Sequence, residues 1–116
     1  MTLREFYAVT GGDYDSVIAN FKDEGRILKF VKMVASDPSF IMCERALDEG
    51  KISDAFRGAH NIKGFCLNLS FNKLAFSASA LTENLRGGAA NQQTPELFRQ
   101  LKEDYTCVIE GIRNLD

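Results

Sequence analysis

Apolar residues recur along this chain at intervals of three and four, the period of an α-helix, and no segment shows the two-residue alternation of a half-buried strand. From Asp13 to Ala35 the positions Val17, Phe21, Leu28 and Val31 form one stripe. The spacing predicts one long helix or two short ones interrupted near Gly25, because glycine costs a helix interior about 1 kcal/mol relative to alanine. Asp37-Pro38-Ser39 stops that segment, and a short helix is predicted from about Phe40 to Glu49, closed by Gly50. The most regular stripe follows: Ile52, Ala55, Ala59, Ile62, Cys66 and Leu69 put one apolar face on a helix from about Ile52 to Leu69. After Ser70-Phe71-Asn72, the positions Leu74, Ala78, Leu81 and Leu85 predict another helix, ended by Gly87-Gly88. The small, polar stretch from Gly87 to Gln93 reads as a loop. Thr94-Pro95-Glu96 then supplies an N-cap, a first-turn proline and an early acid for a last helix from about Pro95 to Leu115, with its stripe at Phe98, Leu101, Tyr105, Val108, Ile112 and Leu115. Helices joined by short turns pack most readily as antiparallel neighbours. The expected fold is therefore all-α, an up-down antiparallel four-helix bundle with an additional short N-terminal helix or helices.

Length and composition narrow the function. With 116 residues, 45% of them apolar and 26% charged, residues 1–116 are expected to form one domain, large enough to bury a core without metals or disulfides. Fourteen basic against sixteen acidic residues give a net charge of −2, whereas a nucleic-acid binder usually carries a basic excess; nucleic acid is not an expected partner. Cys43, Cys66 and Cys107 lie far apart without paired spacing, which reads as reduced thiols in the cytoplasm. The apolar runs Phe6 to Val9 and Phe40 to Cys43 fall far short of the ~20 residues a membrane span needs, and Met1 to Glu5 lacks a signal-peptide layout. The expectation is a cytoplasmic monomer with no membrane partner.

One group of residues is not explained by packing. His60, the only histidine, follows core position Ala59 and sits on the flank of the stripe, where it should be at least partly solvent-facing. Arg57 lies one turn before it, and Lys63 and Gly64 one turn after, on a shared face. Gly64 stands well inside a helix, where alanine would be cheaper, so close approach of another molecule beside the imidazole is the economical explanation. A neutral imidazole can attack phosphorus through a ring nitrogen, and Lys63 and Arg57 would offset the charge of a transferred phosphoryl group. Phe56 and Leu67 continue the same side and would border the charged spot with apolar surface suited to docking a protein.

Other chemistries fit less well. Cys66 falls on the core stripe and points away from His60, which argues against a Cys-His dyad. One histidine without grouped carboxylates or paired cysteines does not suggest a metal, and no cofactor is expected. Neither a Gly-x-x-x-x-Gly-Lys-Ser/Thr nor a Gly-x-Gly-x-x-Gly loop is present, so a kinase with its own nucleotide site is not expected either. The nine phenylalanines read as core, and Gly58, on the opposite flank from His60, as a point of close helix packing. The alternative function is a helical interaction module in signalling that carries no phosphoryl group; such a module would not need His60, Lys63 and Gly64 together.

Ala59-His60-Asn61-Ile62-Lys63-Gly64, followed by Asn68-Leu69, resembles the signature of histidine-containing phosphotransfer domains. The family's His-x-x-Lys-Gly core is matched, and the later Leu-Ala…Ala-x-x-Leu-x-x-x-Leu-Arg pattern is matched at Leu74, Ala75, Ala78, Leu81, Leu85 and Arg86. The resemblance extends over about Leu28 to Leu115. It implies a four-helix bundle whose exposed histidine takes a phosphoryl group from a receiver-domain aspartate, or from a hybrid sensor histidine kinase, and passes it to another receiver. On that basis His60 matches the phosphorylated residue, Lys63 its positive neighbour, and Gly64 the position left small for the receiver. Mg²⁺ would belong to the receiver. Thr82 and Arg86, with Glu83, would border the site from the facing helix, Thr82 as the polar side chain that orients the histidine. Ser70 departs from the glycine that the family often has there, which bears on the turn rather than on His60. Phe65-Cys66-Leu67 is bulkier than the family's usual small residues and would alter partner preference.

Overall fold

Side-chain caps and left-handed residues set both ends of the first two helices. The computed structural model describes residues 1–116 and contains seven helices: α1 (Leu3–Thr10), α2 (Tyr14–Phe21), α3 (Glu24–Val34), α4 (Ser39–Asp48), α5 (Ile52–Leu69), α6 (Asn72–Leu85) and α7 (Thr94–Arg113). α1 opens on a capping box in which the Glu5 amide donates to the Thr2 hydroxyl (3.1 Å) and the Thr2 amide donates to the Glu5 carboxylate (2.9 Å). Those bonds to Thr2 hold the Glu5 carboxyl below its ordinary range. Asp13 caps α2 by accepting from the Ser16 amide at 3.0 Å.

The Asp13–Ala35 segment is two helices, and its break lies at Lys22-Asp23 rather than at Gly25. Lys22 takes a left-handed conformation (φ 69°), and Asp23 caps α3 by accepting from the Gly25 amide at 2.8 Å. Gly25 sits in the first turn of α3, where an aspartate cap decides the start. The break also rotates the stripe by one residue: Ile27, Val31 and Val34 are buried in α3, while Leu28 is only half-buried. The start of α7 differs too. Thr94 is the first helical residue rather than the cap, and its hydroxyl donates to Asn84 Oδ1 (2.6 Å) while accepting from the Asn91 amide (2.9 Å). The threonine ties the preceding loop to the end of α6 instead of capping its own helix.

α5 packs against α4 on one side and α6 on the other, and α6 packs against α7; α1 lies on α7 and α2, while α3 meets both α5 and α7. α4 reaches α7 through Phe40, which stacks on Phe98 (centroids 5.7 Å) and Tyr105 (4.2 Å), and through a Glu44–Lys102 ion pair at 3.0 Å. The core joins Phe6 and Tyr7 of α1 to Ala59, Ile62 and Cys66 of α5, Leu74 and Leu81 of α6, and Leu101 and Val108 of α7. All three cysteines are free thiols; burial pushes that of Cys43 up to about 11 and raises that of Cys66 further.

Bracing from the amino-terminal helices holds the α5–α6 turn. Ser70 occupies the left-handed region (φ 58°), the conformation glycine would adopt more cheaply, and its carbonyl accepts from the Asp13 amide at 2.9 Å. The Tyr7 hydroxyl donates to the Leu69 carbonyl (2.7 Å) in a buried bond, and the Lys73 amide donates to the Gly11 carbonyl (3.2 Å). Tyr7→Phe removes the donor and leaves a buried carbonyl at the end of α5 without it. A loss of about 1 to 2 kcal/mol is expected, read as a melting temperature lower by several degrees with unchanged helical content.

Candidate functional site

α5 is a helix of eighteen residues whose core face, Ala55, Ala59, Ile62, Cys66 and Leu69, is buried. Its adjoining flank carries Phe56, His60, Lys63, Gly64 and Leu67 at successive helical turns. His60 and Gly64 are exposed, Phe56 and Lys63 half-buried, and Leu67 is 61% exposed. A Cβ built on Gly64 would meet no atom within 4 Å, so nothing within the fold requires a glycine there. Gly58 is the reverse: its Cβ would fall 2.9 Å from Cys43 Cβ and 2.9 Å from the Ser39 carbonyl oxygen on α4. One helix thus holds one glycine that packing demands and one that it does not.

The imidazole of His60 lies nearly parallel to the Phe56 ring, with centroids 5.9 Å apart and an interplanar angle of 10°. From α6, the Arg86 guanidinium lies over that same ring, 5.3 Å from its centroid. Arg86 is held in turn by Glu83 through two hydrogen bonds, Nε to Oε2 at 3.0 Å and Nη2 to Oε1 at 2.8 Å. The Glu83 carboxyl is kept below its ordinary range first by the hydrogen bond from Arg86, with smaller contributions from the charges of Lys63 and His60. Glu83 and Arg86 of α6 therefore stand beside His60 and Lys63 of α5. Arg57 is exposed and faces Asp54 at 3.6 Å on its own helix.

Thr82 does not join them. It is fully buried, and its hydroxyl donates to the Ala78 carbonyl one turn back at 2.7 Å, so it neither orients the imidazole through that hydroxyl nor reaches a docking surface. The misplacement comes from one residue of helical phase: Thr82 continues the inward face of Ala78, Leu81 and Leu85, and Glu83 takes the outward position. The flat contact of Phe56 with His60 has a sequence signal in the four-residue spacing of two planar side chains. The family resemblance puts Arg86 at the border of the site, but its seat over the Phe56 ring depends on the register between two helices.

Chemically, the arrangement offers an exposed imidazole with an ammonium one turn away, a guanidinium and a carboxylate across the helix pair, and open space where a side chain is missing. No three His, Cys, Asp or Glu side chains converge to hold a metal ion. No helix is long and apolar enough to cross a membrane. The family model described as Hpt domain matches residues 42–111, from within α4 through nearly all of α7. This is shorter at the amino-terminal side than the stretch from Leu28 that the motif resemblance implied. No curated protein and no solved structure matches the chain.

Proposed function

Because the chain belongs to the Hpt domain family, whose members are phosphocarrier modules working with receiver domains and histidine kinases in phosphorelay signalling, we propose that His60 is its phosphorylated residue. The protein takes a phosphoryl group from a receiver aspartate, or from a sensor kinase, and hands it to another receiver. In this reading residues 1–116 work as one domain, and α4 to α7 form an up-down antiparallel bundle that presents His60 on its flank. The observation that carries the proposal is the exposed His60 with unoccupied space over Gly64 one turn away.

The transfer asks little covalent chemistry of the chain. A ring nitrogen of the neutral imidazole attacks phosphorus in line with the bond to the receiver's aspartyl oxygen. The nitrogen–phosphorus bond forms as that phosphorus–oxygen bond breaks, and the carboxylate leaves with the electron pair; the other ring nitrogen then gives up its proton. The onward step runs the same path in reverse with a second receiver's carboxylate as nucleophile. Positioning and charge compensation make up most of such catalysis. Lys63 supplies a point charge beside the transferring oxygens. Leu67 and Phe56 offer apolar surface to the receiver, Arg57 and Arg86 charged groups at its rim, and Gly64 the clearance that lets the aspartyl phosphate approach to about 3 to 3.5 Å.

Gly64→Gln tests the clearance. The variant is expected to melt at or above the native temperature, since glutamine suits a helix better than glycine, and to lose transfer from a phosphorylated receiver by about tenfold or more. Phosphoramidate, a small donor that needs no docking, should phosphorylate native and variant alike. Native-like transfer from the receiver would remove the close-approach argument, and an unfolded variant would mean that the glycine serves packing.

A further inference from the structure

A histidine ring on a helix surface turns freely about its last side-chain bond, whose rotational preference is broad and two-fold. An imidazole that must present one nitrogen to phosphorus therefore loses productive encounters unless something restrains the ring. Here a restraint is present: His60 lies within 10° of parallel to Phe56, Arg86 lies over the Phe56 ring, and Glu83 locks Arg86 with two hydrogen bonds. This series runs from α6 to the reacting ring on α5, and an exposed histidine does not need it for stability. Phe56 is half-buried against the core, which gives it a firm seat.

Resting on the phosphotransfer reading of His60, we infer that Phe56 is a positioning residue, which holds the His60 imidazole in one ring orientation for attack on phosphorus, with Arg86 and Glu83 fixing Phe56 in turn. Phe56 makes no bond to the phosphoryl group. It acts through the imidazole, so its influence extends to every donor, including one too small to touch the docking surface. A residue that only supplies apolar area to a receiver would affect the receiver reaction alone. That difference makes the two roles separable.

Phe56→Leu keeps apolar bulk and helix compatibility but cannot lie flat against a ring, whereas Phe56→Tyr can. The full chain is phosphorylated with phosphoramidate and, separately, by a receiver domain charged with a small acyl phosphate, while NMR follows the His60 ring protons. The expected result is a rate about fivefold lower for Phe56→Leu with both donors, restoration by Phe56→Tyr, and a change in the His60 ring-proton shifts in the leucine variant only. Phe56→Met gives the same comparison should the leucine variant not fold. A native phosphoramidate rate in the leucine or methionine variant overturns the positioning role, and slowing confined to the receiver reaction assigns Phe56 to docking instead. The phosphotransfer reading stands or falls separately, on whether the native chain takes label at His60 in the same assay.

Discussion

Gly58→Ala is expected to destabilise the protein by about 2 kcal/mol, while Gly64→Ala, six residues along the same helix, stabilises it by about 1 kcal/mol. The two substitutions add the same methyl group and gain the same helix propensity, so the difference isolates packing. At position 58 the new Cβ would lie 2.9 Å from Cys43 Cβ, 2.9 Å from the Ser39 carbonyl oxygen and 3.1 Å from the Cys43 amide nitrogen. Two of those three atoms are backbone, and they move only if α4 shifts away from α5. Overpacking of this kind costs about 3 kcal/mol at the upper end of its usual range, offset by the ~1 kcal/mol that alanine gains in a helix. At position 64 no atom opposes the methyl group, and the helix gain remains whole. Thermal melts should place the two variants roughly 10 °C apart, with Gly58→Ala below the native protein and Gly64→Ala above it. Equal melting temperatures would mean that the α4–α5 contact is looser than the structure has it, and would take away the reason for treating Gly64 as the glycine kept for something other than folding.

That contrast also shows what the sequence made legible. The stripe from Ile52 to Leu69 marks out α5, because spacings of three and four leave only one helical phase. The same phase puts His60, Lys63 and Gly64 together on a flank without any knowledge of tertiary structure. Phase also separates Gly58 from Gly64, since a glycine on the far flank faces a neighbouring helix. The reading weakens where a short polar side chain chooses between local partners. Asp23, rather than Gly25, decides where α3 begins, and Thr94 bonds to Asn84 and Asn91 instead of capping α7. Both residues carry N-capping chemistry, and nothing in one dimension says which amide or carboxamide will be near enough. Thr82 fails for a related reason, as its hydroxyl is satisfied by its own helix.

The remaining part of the site depends on register between helices. Glu83 and Arg86, three apart on α6, are expected from the sequence only to border the site. Only the packing of α6 on α5 sets the guanidinium over Phe56 and the carboxylate within influence of Lys63 and His60. Ser70 shows the opposite case, a departure from the family pattern that the fold accommodates. Serine takes up the left-handed turn that glycine would favour, and Asp13 from the amino-terminal helices bonds to its carbonyl. The segment before the matched region therefore contributes to the hairpin that carries the site, although it shares no matched positions with the family.

His60→Gln carries the largest functional effect. Glutamine is a good helix former, and position 60 is exposed, so the variant should fold with a melting temperature close to the native value, within about 0.5 kcal/mol of its stability. It has no ring nitrogen that can attack phosphorus, and the chain contains no second histidine to take over. Phosphoryl acceptance should fall to background with either donor. The chemistry of the adduct adds an independent criterion, because a phosphoryl group on an imidazole nitrogen is lost in acid and survives base, unlike a serine or threonine phosphate ester or an aspartyl phosphate. The most direct measurement is therefore to incubate the native chain and His60→Gln with the same phosphorylated receiver and with phosphoramidate, and to follow acid-labile, base-stable phosphate on each. One such phosphoryl group is expected on the native protein, mapped to His60, and none on the variant; label on folded His60→Gln equal to that on the native chain, or no label on a native chain supplied with both donors, would overturn the assignment of His60.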